Sequence, residues 1–355
     1  MFKSKTLFIV GAGASCEVGL PSGAELKAKI ADRLDIKFAD GYSQSSGDRK
    51  IVEALRKHVK EVENNRDINP YLGPAWQIKS ALPLALSIDN YIDAHRGDKK
   101  IELCGKLGIV SSIIASEKDS RLYFNERNSE KFDTNLKGAW YAYFFQRLTE
   151  NVDKSRVGEI FKNVSIVTFN YDRCIEHFLK HSLAIYYGLD DREAEEIVST
   201  LVILHPYGQV GYLPWQRNNQ RATVGFGGTY SGDFDLLAVA GQIKTFTEQF
   251  EEGDALKTIR DEVAEAEVIV FLGFAFADQN MELLNPNRPT KAKRAYATAY
   301  RVSASDREVI NEKIGELLSR TKAFGSRDWT DLDLNIRSDL KCSELFEEYW
   351  RSMVR

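Results

Sequence analysis

This 355-residue chain has only four cysteines, Cys16, Cys104, Cys174 and Cys342, and no two lie close together in sequence. That excludes a CxxC zinc pattern and a disulfide framework, and with them the small stapled secreted domains. A reducing, cytoplasmic setting is the expectation. No apolar run approaches the ~20 residues that span a bilayer. The first apolar run reaches glycines almost at once after Met1, too soon for a signal peptide. Nor is one sign of charge in excess: 48 Lys and Arg against 52 Asp and Glu leave a net −4. That balance, mixed along the chain, argues against a dedicated nucleic-acid surface. Internal repeats and low-complexity tracts are missing as well. What remains, 43% hydrophobic residues, is a globular composition long enough for one large or two ordinary domains.

The apolar pattern then organises the chain. Residues 6–10 (TLFIV) are a continuous apolar run bounded by glycine, which predicts a buried strand of a parallel sheet. Leu26, Ile30 and Leu34 are spaced as one helical face from about Ala24, and the polar stretch ADGYSQSSGDR after them reads as an exposed loop. Ile51, Leu55, Val59 and Val62 form a further helical stripe, and roughly 50–150 reads as a helical block without strands. Buried strands return at 164–172 (VSIVTFNYD), 200–208 (TLVILHPYG), 266–276 (AEVIVFLGFAF) and 294–302 (RAYATAYRV), with a helical pattern at 305–319. Strands alternating with helices predict an α/β fold, a doubly wound, Rossmann-like parallel sheet, here interrupted by a helical insertion after the first βα unit. The division expected is 1–40 with 155–320 for the sheet domain, 41–154 for the helical insertion, and 321–355 as a C-terminal tail packing on the core or a partner.

Ligands of an open parallel sheet sit outside the carboxyl ends of its strands. Here those ends carry Gly11-Ala12-Gly13-Ala14-Ser15, then Thr168-Phe169-Asn170-Tyr171-Asp172, then His205-Pro206-Tyr207-Gly208, then Gly273-Phe274-Ala275-Phe276-Ala277-Asp278. The four segments can line one crevice. Gly11 and Gly13 let backbone N–H groups approach a diphosphate, with the positive end of the next helix behind them, and Ser15 adds a hydroxyl. The turn departs from the GxGxxG fingerprint, since Cys16 holds its last glycine position. Each segment also has a purely structural reading. Asn170 and Asp172 suit the cap and first turn of a helix, at about 1 kcal/mol each. His205 can be a satisfied polar side chain, and Asp278 and Asn280 can cap a helix beginning near Gln279.

GAGASCEVGLP resembles the sirtuin pattern GAG-x-S-x-x-x-G-(I/L)-P, with Ser15, Gly19 and Pro21 in place. TFNYD is similar to the sirtuin TQN-x-D motif, HPYG to its catalytic-histidine HG, and GFAF occupies the place of its GTS-type loop, all in family order. The resemblance covers about 1–35 and 160–320. Two departures stand out: Ser22-Gly23-Ala24 replace the Asp-Phe-Arg of the classical deacylases, and the four-cysteine zinc module is missing. SIDNYIDAH and GKLGIVSSIIASEKDSRLYF are similar to the helical insert of sirtuin-like proteins of bacterial anti-phage systems.

That resemblance implies an NAD+ glycohydrolase that cleaves NAD+ to nicotinamide and ADP-ribose and depletes an infected cell, with NAD as substrate and no metal. It assigns Asn170 to the ribose and attacking water, His205 to general-base work, and Asp172 to the nicotinamide carboxamide. Gly11, Ala12, Gly13 and Ser15 would hold the diphosphate, with Gly273 and Phe274 near the adenosine. The alternatives are a non-catalytic NAD or ADP-ribose sensor, an NAD-dependent protein deacylase or ADP-ribosyltransferase, and a flavin or nicotinamide dehydrogenase. Since nothing beyond core, block and tail is left for a sensor domain, activity is expected to be gated by assembly. The expected partners are a second copy of the chain and, by the same resemblance, a HerA-type ATPase. The aromatic run Trp140, Tyr141, Tyr143, Phe144 and Phe145 is either the docking surface or a doubly buried core helix.

Overall fold

The computed structural model describes residues 1–125, 136–216, 222–228, 234–244, 248, 253–319 and 332–355. Chain order begins with β1 (Thr6–Val10), α1 (Ala12–Cys16), α2 (Gly23–Leu34) and a small antiparallel pair, β2 (Lys37–Phe38) and β3 (Gln44–Ser46). Helices α3 (Arg49–Val62), α4 (Asn69–Ala81), α5 (Ile88–Ala94), α6 (Lys99–Lys118) and α7 (Trp140–Thr149) follow. Then come β4 (Val164–Thr168), α8 (Cys174–Tyr187), α9 (Asp191–Val198), β5 (Val202–Leu204), α10 (Leu236–Ala240) and α11 (Gly253–Glu265). The described chain ends with β6 (Val268–Leu272), α12 (Asp278–Leu284), β7 (Arg294–Thr298), α13 (Ala304–Leu318), β8 (Asp333–Arg337) and α14 (Cys342–Met353).

Six strands form one sheet in the order β5-β4-β1-β6-β7-β8, and every pairing is parallel. Counted by appearance in the sheet, that is 3-2-1-4-5-6, the Rossmann order, and its switch point lies between β1 and β6. The apolar strands are buried because both faces are covered. Alternate residues part to opposite sides: Phe8, Val10, Ile166 and Val270 face a core shared with α7, α8 and α14. Leu7, Ile9, Val167 and Phe271 face one shared with α11 and α13. A third core joins α2 through α6 to Tyr171, Tyr207 and the chain around residues 210–243. This helical layer therefore meets the chain just beyond the carboxyl ends of β4 and β5.

Local chemistry explains the helix starts. Ser22 and Glu25 form a reciprocal capping box for α2, and Asp48 and Asp98 accept from the first amides of α3 and α6.

Several sequence expectations need correction. The run at 200–208 is not a long buried strand: only Val202–Leu204 pair, on the sheet edge, and Val202 is 40% exposed. Val62 leaves the α3 stripe and is 69% exposed at the helix end, while Ile51, Leu55 and Val59 are buried. Within the segment read as a tail, 321–331 lies outside the described residues, but the remainder supplies strand β8 and helix α14. The aromatic run is a core helix, not a docking surface. Trp140, Tyr141 and Phe144 are buried, and their rings pack on Phe8, Phe178 and Phe346. Glu17 clamps this arrangement by accepting from the Trp140 and Ser343 amides, so α7 and α14 are both tied to the turn after β1.

Candidate functional site at the carboxyl edge of the sheet

At the switch point two backbone turns touch. The Gly11 amide donates to the Leu272 carbonyl at 2.9 Å and the Gly13 amide to the Gly273 carbonyl at 3.0 Å. A Cβ on Gly11 would lie 2.6 Å from the Gly273 oxygen, and one on Gly13 would lie 2.8 Å from the Gly273 Cα. Gly273 itself has φ +57 and would carry a Cβ 2.1 Å from the Ala14 nitrogen. Glycine is needed at all three positions for the β1 and β6 turns to approach. The amides of Gly11 and Gly13, expected to face a diphosphate, are thus engaged within the protein, as is that of Ala14, which donates to Gly11. The helix behind the turn is the five-residue α1, and the full-length α2 starts only at Gly23.

Ser15 is buried on α1 and sits at the centre of a small polar network. Its hydroxyl donates to Asp172 Oδ2 at 2.9 Å and accepts from Asn170 Nδ2 at 2.9 Å. Asn170 Nδ2 also donates to the Gly11 carbonyl at 3.1 Å, which leaves Oδ1 outside these bonds. The expected capping role of Asn170 is therefore not what is found. Asp172 does that work instead: its Oδ1 accepts from the Cys174 amide at 3.1 Å, at the start of α8. Burial pushes the Asp172 carboxyl above its usual range, against the pull of the Cys174 and Ser15 hydrogen bonds. Neither Asp278 nor Asn280 caps α12; Asp278 pairs with Lys313 at 2.6 Å and Asn280 accepts from the Tyr207 hydroxyl at 2.8 Å.

His205 joins the network through the backbone. Its Nδ1 lies 3.2 Å from the Asn170 carbonyl, and its Nε2 lies 3.0 Å from Glu176 Oε1. Burial opposes the charged imidazole, but the Glu176 carboxylate and both hydrogen bonds outweigh it and raise His205 above the ordinary 6.5. Glu176 escaped the sequence reading. It lies four residues after Asp172, in the first turn of α8, and becomes a site residue only because β5 runs beside β4.

The Tyr171 hydroxyl donates to Asp89 of α5, which anchors the TFNYD turn to the helical layer. Phe274 is buried against Phe169, Phe271 and Phe276, so its ring belongs to the core while its backbone adjoins the β1 turn. The structure thus brings Gly11, Ala12, Gly13, Ser15, Asn170, Asp172, His205, Gly273 and Phe274 to one edge. A cavity of about 590 Å³ opens at the His205 end of this set, lined by Glu176, His205, Gln209, Trp215, Gln242 and Lys244 among others. Of those nine residues only His205 is in its wall.

Among the described residues no group of three His, Cys, Asp or Glu side chains is placed to hold a metal ion, and no helix is long and apolar enough to cross a membrane. No protein-family model matches the chain, and no curated protein matches it.

Proposed function

We propose that the chain is an NAD+ glycohydrolase, releasing nicotinamide and ADP-ribose. The observation that carries this reading is the convergence of Ser15, Asn170, Asp172 and His205. They come from three separate strand ends and form one hydrogen-bonded set at the edge where a Rossmann-ordered sheet receives nucleotides. Cleavage of the nicotinamide–ribose bond passes through an oxocarbenium-like centre, and the leaving group is already cationic, so no strong acid is needed. What helps is a fixed nucleotide and an oriented water. In this reading Asn170 Oδ1 orients the ribose hydroxyl or the attacking water, and Asp172 is assigned to the nicotinamide carboxamide. The adenosine is assigned to the Gly273–Phe274 backbone and the diphosphate to the turn Gly11–Ser15, which would have to release the internal bonds of the Gly11, Gly13 and Ala14 amides to bind it.

The cavity next to His205 favours one further reading. It offers room for an acceptor other than water, so an NAD-dependent transferase or deacylase is the second candidate. Residence in the cytoplasm, a role in anti-phage defence, self-association and a HerA-type ATPase partner all belong to the same proposal. Their docking surface is not α7, which is core.

The test is chromatography of NAD+ after incubation with purified protein. Equimolar nicotinamide and ADP-ribose from wild type, and neither from Asn170→Ala, are expected. Intact NAD+ with the wild-type protein and its partners, or equal cleavage by the variant, would reject the reading. Nicotinamide formed without free ADP-ribose would favour the transferase.

A further inference from the structure

His205 and Glu176 are buried together: their side chains are 9% and 3% exposed. Both ring nitrogens of His205 face acceptors, a backbone carbonyl at Nδ1 and a carboxylate at Nε2. Opposite an ionised Glu176, a neutral imidazole, with one N–H and one bare nitrogen, satisfies only one of these two contacts. Glu176 in turn has His205 as its ion-pair partner, and its second oxygen, Oε2, is buried with no hydrogen-bond partner. A carboxylate held out of water this way is strongly disfavoured unless the group beside it carries the opposite charge.

The other charges around the ring do not compete for that role. Asp172, on the strand-end side, is engaged by Ser15 and Cys174. On the cavity side, Arg192 pairs with Glu196 at 3.0 Å, and Glu195 pairs with Lys180 at 2.7 Å. Lys244 also lines this cavity.

We infer that Glu176 is a positioning residue acting with His205 as a dyad: its carboxylate fixes the ring between two acceptors and holds both ring protons, so that His205 rests as an imidazolium and not as a free base. The pairing stands on geometry alone; only its kinetic consequence rests on the NAD-cleaving reading. In the resting site the imidazole has no open lone pair for the proton of an attacking water. It gains one only when Nε2 passes its proton to the Glu176 carboxylate and the two part as neutral imidazole and carboxylic acid, which makes occupation of the adjoining cavity the natural trigger. The proton that hydrolysis releases then goes to the bare Nε2 of the freed ring.

Nuclear magnetic resonance of the full chain with labelled histidine rings tests this, with His205 among the five histidines assigned by a His205→Ala spectrum. In wild type at neutral pH both ring nitrogens of His205 should carry protons, with a titration midpoint above 6.5. In Glu176→Gln the midpoint should fall, because burial is then opposed only by the Asn170 carbonyl and the more distant pull of Asp172. Glu176→Asp, which keeps the charge, should hold it above the Gln variant. In the kinetic arm, the His205 limb of the pH profile of NAD+ cleavage should move to lower pH in Glu176→Gln. A neutral His205 ring in the wild type at neutral pH overturns the inference without any variant having to fold, and so does an unchanged midpoint in Glu176→Gln. The ring titration reads the dyad whether or not NAD+ is the substrate.

Discussion

Two buried ion pairs adjoin the TFNYD turn, and they are built differently. Arg173 and Glu117 are both 0% exposed and leave little unsatisfied. The Arg173 amide and Nε donate to Glu117 at 3.0 Å, its Nη atoms reach the Val224 and Gly225 carbonyls, and the Gly227 amide donates to Glu117. His205 and Glu176 are nearly as buried, yet one carboxylate oxygen is unpartnered and a cavity adjoins the pair. The first pair knots α6, the start of α8 and the chain at 224–227 into one unit. The second is under-satisfied where a ligand has room to enter. A closed pair of this kind is architecture, and an open one beside a cavity is where chemistry has latitude.

The largest effect should come from opening the closed pair. Glu117→Gln leaves the Arg173 charge buried and uncompensated, and should lower unfolding free energy by about 3–5 kcal/mol in denaturant titration; a loss under about 1 kcal/mol would show that the pair is not the knot described. Next is the contact between the β1 and β6 turns. Gly273→Ala combines a left-handed backbone with a Cβ 2.1 Å from the Ala14 nitrogen, and should cost about 3 kcal/mol, measurable by the same titration. Gly11→Ala, clashing at 2.6 Å without a positive φ, should cost less.

Asp172 should move the other way. Its carboxyl is raised by burial, so it favours folding below the ordinary 3.8 and that contribution is lost as pH rises through the elevated value. Asp172→Asn should therefore raise the melting temperature slightly at pH 7, whereas a fall would mean that the charge itself is stabilising there. The smallest effect is the His205 slope. A raised histidine contributes stability fully below 6.5 and loses it as pH climbs through its folded value. Wild type should lose stability over that alkaline window more steeply than His205→Ala, and parallel curves would place the charge elsewhere.

The contrast between the two pairs also marks what the sequence could reveal. β1, β4 and β6 were legible because each is a short apolar run closed by glycine or polar residues, and the Rossmann order sets β1 beside β4, so Ser15 and Asn170 meet. The convergence at the carboxyl edge followed from that. β8 was not legible: Asp333–Arg337 is a half-buried edge strand with charged residues at both ends, which leaves no apolar run to see. β5 is shorter than its apolar run suggests because Leu201 and Tyr207, buried for other reasons, flank a three-residue edge strand. Glu176 and Glu117 were invisible for a shared reason. A glutamate within a helical stretch reads as solvated surface until its partner, 29 or 56 residues away, is known to lie across from it. The capping readings of Asn170, Asp278 and Asn280 failed similarly, since local propensity was overridden by partners from distant elements.

The most direct test of this division is NAD+ turnover per folded molecule, measured for Asn170→Ala and Glu117→Gln side by side with their unfolding curves. The account predicts that Asn170→Ala stays folded and forms no nicotinamide, while Glu117→Gln unfolds far more readily but its folded fraction still cleaves NAD+. Turnover retained by folded Asn170→Ala, or lost from fully folded Glu117→Gln, would contradict it.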